Sequence, residues 1–197
     1  MTRSERREQL IAVSRELFAL HGFDAISIEE IAGKAGVTKP IIYEHFGGKE
    51  GLYQVIVDRE LSRLSAMLTE HMTPGQPVST ILEGIVVSIL DYAEETPDGF
   101  RLLAHQSPSA VSSGRFSTVM FDVAEEVSAL LEPHFQSLGL DLETAPLYGQ
   151  MLAGAVANAA LWWSATDGMS KKEAAAHVTN LVYHGLHTMR RDPLTDS

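Results

Sequence analysis

Between positions 38 and 49 the chain sets out Thr38, Lys39, Pro40, Tyr43, His45 and Lys49. Two hydroxyls, two ammonium groups and an imidazole in so short a stretch are donors suited to anionic oxygen and to base edges. Lysine meets a phosphate as a compact point charge, and threonine and tyrosine hydroxyls donate to phosphate oxygens. The one acid among them, Glu44, repels a phosphate unless it points away or accepts from a cytosine amino group. Nothing in the stretch pairs a nucleophile with a base. Its chemistry is recognition.

Short helices must position these side chains. Ser27 followed by Glu30 spells a capping box, in which hydroxyl and carboxylate satisfy each other's orphan backbone N–H groups. Ile28, Ile31, Ala32 and Ala35 then give the apolar stripe of an amphipathic helix. Gly36 stops it, since glycine takes the left-handed C-cap conformation without strain. Thr38 can cap a second helix with Lys39 and Pro40 in its first turn, where proline is tolerated. Ile42 and Phe46 lie four apart and should face inward, leaving Lys39, Tyr43 and His45 on other surfaces. A helix of about eight residues is unstable alone, so neighbours must hold it and present it outward. A helix-turn-helix needs this arrangement: one helix crosses the phosphate backbone and the other enters the major groove.

Gly22-Phe23, Ile28, Ile31-Ala32, Ala35-Gly36-Val37-Thr38-Lys39, Ile42-Tyr43, His45-Phe46 and Lys49-Glu50-Gly51-Leu52 together resemble the DNA-binding signature of TetR-family transcriptional regulators. The resemblance covers about the first quarter of the chain. It implies an all-α fold, with a three-helix DNA-binding domain over residues 1–48 and a helical ligand-binding and dimerisation domain over 49–197. By the same resemblance Thr38 and Lys39 contact base edges or nearby phosphates, and Tyr43, His45 and Lys49 take backbone-contacting positions. Ser27 and Pro40 complete the candidate DNA-binding set. Arg3, Arg6 and Arg7 on the first helix are either phosphate neighbours or a solvated helix end. The first helix should pack beneath the two short ones, with Phe18, Ile31 and Phe46 in one small core.

The net charge of −11 argues at first against nucleic acid. Residues 1–50 carry 7 basic and 8 acidic side chains, net −1, so the remaining 147 residues carry −10. The acid therefore sits mostly outside the DNA-reading part, and exposed charges are screened beyond about 8 Å at physiological salt. The sequence has no cysteine, which excludes disulfides and thiolate metal sites and suits a reducing cytoplasm. A charged N-terminus and the absence of an apolar run of about 18 residues predict a soluble, cytoplasmic protein without a membrane partner.

Beyond the first quarter the pattern stays helical. Helices are expected over 3–21, 49–72, 78–95, 100–106, 116–135, 143–166 and 170–190, with Ser170 and Glu173 as another capping box. Small residues at Gly149, Ala153, Gly154, Ala157 and Ala160 give a face that another backbone can approach, and Val178, Leu181, Val182, Gly185, Leu186 and Met189 line the last helix. The resemblance implies that these two helices from each of two subunits form a homodimer that reads a palindromic operator in double-stranded DNA.

A pocket for a small, largely apolar effector is expected among Tyr92, Phe100, Phe116, Met120, Phe121, Met151 and Trp162, with Arg101, His105 and Asn158 as its polar groups. Asn158, an amide among alanines on a buried helix, is expected to need a partner, either across the dimer or on a ligand. A ligand wedged among the C-terminal helices would weaken DNA binding, making the protein a repressor released by ligand. His177, His184 and His187 share one side of the last helix, but no metal-ligand motif accompanies them, and no metal or cofactor is expected. The competing reading is a helical protein-interaction module without a small-molecule effector.

Overall fold

The structure is a computed structural model in which residues 1–71, 76–104 and 117–189 are described. The described residues form nine α-helices and no strand, the all-α class expected. The helices are α1 (Arg3–His21), α2 (Ile28–Ala35), α3 (Lys39–Phe46), α4 (Lys49–Thr69), α5 (Val78–Glu95), α6 (Pro97–Ala104), α7 (Ser117–Leu138), α8 (Ala145–Ser164) and α9 (Lys171–His187). They fall into two compact units, Met1–Ala66 with Glu95–Phe116, and Met67–Glu94 with Ser117–Ser197.

The first unit is built on α1. Leu10, Ile11, Leu17 and Phe18 give it a buried face, with Ile31, Ala32 and Ala35 of α2, Ile42 of α3 and Leu52, Tyr53, Ile56 and Val57 of α4 in the same core. Phe18 meets Tyr53 edge to face with ring centroids 5.2 Å apart, and Phe23 lies 4.7 Å from the same ring. Helix α6 contacts α1 and buries Phe100, Leu102 and Leu103. It begins three residues before the expected Phe100, because Pro97 is accommodated in a first turn whose N–H groups lack intrahelical partners anyway. This unit takes in more chain than the expected 1–48 segment, since the first half of α4 supplies core residues. Buried Glu60 is compensated by Arg15, whose Nη1 donates to it at 2.9 Å.

In the second unit Leu131 and Phe135 of α7, Ala145 of α8, and Val182 and Leu186 of α9 form a buried cluster. Tyr148 stands edge-on to Phe135 at 5.4 Å. Gly149 explains how closely α7 and α8 approach. A Cβ there would lie 2.1 Å from Ser128 Oγ and 2.4 Å from the Ala124 carbonyl oxygen. Some of the small residues of α8 therefore pack within the chain. Gly149, Ala153 and Ala160 are buried within the chain, and at Gly149 the backbone that comes close is that of α7. Lys171 ties the start of α9 to α5 through Asp91 at 2.5 Å and Glu94 at 2.7 Å, and these hydrogen bonds push its pKa up.

Candidate DNA-binding surface

The turn between α2 and α3 is closed by local chemistry. Ser27 Oγ accepts from the Glu30 N–H at 3.2 Å, and the Glu30 carboxylate accepts from the Ser27 N–H at 2.8 Å. The Ser27 hydroxyl, which donates to that carboxylate at 2.7 Å, and the Ser27 N–H hold the Glu30 carboxyl below the usual carboxylate range. At the other end Gly36 adopts φ 65° and ψ 37°, and the Val37 N–H returns to the Ala32 carbonyl at 2.9 Å. A residue with a Cβ would be strained at that φ. The Ser27 hydroxyl is occupied as a cap, so its candidate role at DNA is to fix α2.

Thr38 stands at the N-cap of α3 with extended backbone, but its side chain makes no capping bond. Its exposed hydroxyl is thereby kept from the helix end. Lys39 and Pro40 follow, both exposed, and Tyr43 is 54% exposed one turn on. Ile42 is fully buried and anchors the helix from beneath. Phe46 is only half-buried, with the Arg7 guanidinium 4.8 Å above its ring. His45 is half-buried beside Phe46 at 5.9 Å. Thr38, Lys39, Pro40 and Tyr43 thus share an exposed surface at the start of α3.

Lys49 departs from the expectation. Its Nζ donates to the Phe23 carbonyl at 2.8 Å and the Ile26 carbonyl at 2.7 Å, and lies 4.2 Å over the Phe23 ring. The ammonium is turned into the protein, where it clasps the α1–α2 connection to the start of α4. Sequence reasoning missed this because carbonyl groups leave no mark in the residue pattern. The other cations are also engaged. Lys39 pairs with Glu29, Arg3 with Glu44, Lys34 with Glu16, and Arg6 donates to Gln9.

Residues 10–56 match the family model described as "Bacterial regulatory proteins, tetR family". The HTH-type transcriptional activator FasR of Mycolicibacterium smegmatis is 26% identical over the whole of this chain and 89% of its own length. The HTH-type transcriptional regulator AcrR of Shigella flexneri is 34% identical over 44% of this chain and 41% of its own length. The family model and these relatives all indicate a TetR-family transcriptional regulator. The fold agrees. The crystal structure of a TetR-like transcriptional regulator from Rhodococcus sp. RHA1 superposes with a TM-score of 0.79 at 22% identity, covering 96% of this chain and all of the other.

The described residues among those expected to line an effector pocket are spread over both units. Tyr92 is fully buried in the second unit, whereas Phe100, buried, and Arg101, exposed, belong to the first. Met151 and Trp162 are each 58% exposed, one on each of two turns of a single outward face of α8 that also carries Leu147. Asn158 lies on that face too. It is exposed in the single chain, and its amide donates to the Gly154 carbonyl at 2.9 Å. A helix with small residues on every side does not declare which side is inward. His105 and Phe116 lie outside the described residues, and Met120 and Phe121 are placed on α7 without description of their side chains. His177, His184 and His187 are exposed, and His187 lies 4.1 Å from the Tyr183 ring. Among the described residues no three His, Asp or Glu side chains are grouped to hold a metal ion.

Proposed function

We propose that the regulator acts in the cytoplasm as a homodimer that reads a palindromic operator with α3. The observation that carries the reading is the start of α3, where an uncapping Thr38 hydroxyl, Lys39 and the uncovered Tyr43 stand on one exposed surface. In a two-fold pair, recognition helices about 34–36 Å apart would enter successive major grooves on one face of the duplex. Thr38, Lys39 and Pro40 face the bases or their phosphates, and Tyr43 and His45 the backbone, while Ser27 and Lys49 hold the frame. Changing Lys39 and Tyr43 together to alanine should abolish operator binding and leave the oligomeric state unchanged. Undiminished operator binding by that double variant would refute the assignment.

Exposed apolar side chains support the dimer. α8 presents Leu147, Met151 and Trp162, and α9 presents Leu181, 75% exposed, beside Gly185, which has open space at its Cβ position. Burying such side chains stabilises by about 1.5–3 kcal/mol each. The second copy is met by this outward face, with the Gly149 face reserved for α7.

Control by a small, largely apolar effector is supported by the regulator's family, in which ligand response is typical. An effector that prefers the form unable to span two grooves weakens operator binding by the ratio of its affinities for the two forms. Repression follows where the operator overlaps the promoter. The Mycolicibacterium smegmatis relative is an activator, and activation follows where the operator lies upstream.

A further inference from the structure

Both charged side chains of α3 other than His45 are held in ion pairs with neighbouring helices. Lys39 reaches Glu29 of α2, and Glu44 lies 3.6 Å from Arg3 of α1. All four side chains are more than half exposed. Exposed pairs of this kind add little to stability, so their consequence must be sought elsewhere. It lies in what a phosphate meets. Sequence-independent binding to DNA is almost wholly electrostatic, and a lysine that reaches a phosphate releases about 0.9 condensed cations. Lys39 has to leave Glu29 first, and the stranded carboxylate then faces the duplex and draws a cation back. The gain in released ions nearly vanishes.

We infer that Glu29 and Glu44 are internal counter-ions of the reading face, which hold Lys39 and Arg3 back from phosphates of arbitrary sequence and keep non-specific DNA affinity low. With residues 1–50 at net −1, no surplus of positive charge offsets this restraint. The carboxylates act as specificity determinants by suppression. A docked register that gives Glu44 a cytosine amino group to accept from would turn its cost into a contact. The inference rests on the reading of Lys39 as a DNA contact.

The test uses the full chain and a 20-base-pair duplex of random sequence, titrated by fluorescence anisotropy between about 50 and 200 mM salt. Glu29→Gln should tighten binding about two- to fivefold, the range spanned by breaking one exposed pair. Its salt slope should steepen by roughly one unit, and Glu44→Gln should act in the same direction. In a Lys39→Gln background the Glu29→Gln change should have no effect. An equal gain in both backgrounds would mean mere removal of negative charge and overturn the inference, as would unchanged affinity of Glu29→Gln. If adding Lys39→Gln to Glu29→Gln, where the lysine is free, leaves affinity and slope untouched, the DNA-contact reading of Lys39 fails as well. The two failures are therefore distinguishable.

Discussion

The Lys49 ammonium lies 2.7 Å from the Ile26 carbonyl oxygen, and Ile26 itself is buried immediately before the cap of α2. A cation at the first position of α4 thus fixes the entry to the helix-turn-helix. Its bonds to two carbonyl groups are charge-assisted, and removing a charged partner of this sort costs about 1.5–3 kcal/mol. Lys49→Gln should lower the unfolding free energy by an amount in that range while leaving the salt slope of DNA binding unchanged. A slope reduced by about one unit, with stability intact, would instead make Lys49 a phosphate contact.

The junction of α3 and α4 leaves no room for a side chain at Gly51, where a Cβ would lie 1.9 Å from the Phe46 carbonyl oxygen. Gly149 is similarly confined against Ser128 and Ala124. Overpacking typically costs about 1–3 kcal/mol. Gly149→Ala and Gly51→Ala should each destabilise by at least that much in chemical denaturation, whereas Gly154→Ala, with open space around it, should not. Equal stability of all three would show that the close approaches are not real.

Acid should weaken the helix starts. Glu30 and Glu173 are both held below the usual carboxylate range by hydrogen bonds from the serines that cap their helices. A depressed folded pKa means stability fully present above the unfolded value, near 4.5 for these groups, and lost as pH falls through the folded value. Thermal melts should therefore fall as pH drops from about 5 toward 3, and more weakly in Ser27→Ala, which itself should cost about 1 kcal/mol at neutral pH. An identical acid slope in the variant would remove the capping box from the explanation.

The dimer is tested at Leu181, which projects from α9 far from the buried Val182 and Leu186 side of that helix. Leu181→Glu places a charge on an apolar interface, and sedimentation should shift from dimer to monomer while helicity stays unchanged. A dimer of undiminished stability would place the interface elsewhere.

How much of this was legible in the sequence depends on what made each feature. Local rules fixed the helix-turn-helix. The capping box at Ser27, the left-handed Gly36 and the first-turn Pro40 set the bounds of α2 and α3, and the structure keeps them. The same rule would have found the box of Thr2 and Glu5 at the start of α1, where the needed spacing stands in plain view. Lys49 and Asn158 were not legible. Their partners are backbone carbonyls, and a polar residue in an alanine-rich helix gives no periodic signal of its orientation. The close contact of α8 with α7 was not legible for a related reason. Small residues mark close approach, but only the packed structure tells that Gly149 approaches α7.

The central claim, a dimer that reads a palindrome with α3, is tested most directly by selecting from a pool of random duplex DNA with the full chain and repeating the selection with the Lys39→Ala, Tyr43→Ala double variant. Two inverted half-sites centred about one helical turn apart, or a multiple of it, should be recovered with the natural sequence and lost with the variant. Enrichment of no sequence by a folded sample, or recovery of the same site by the variant, would contradict the account.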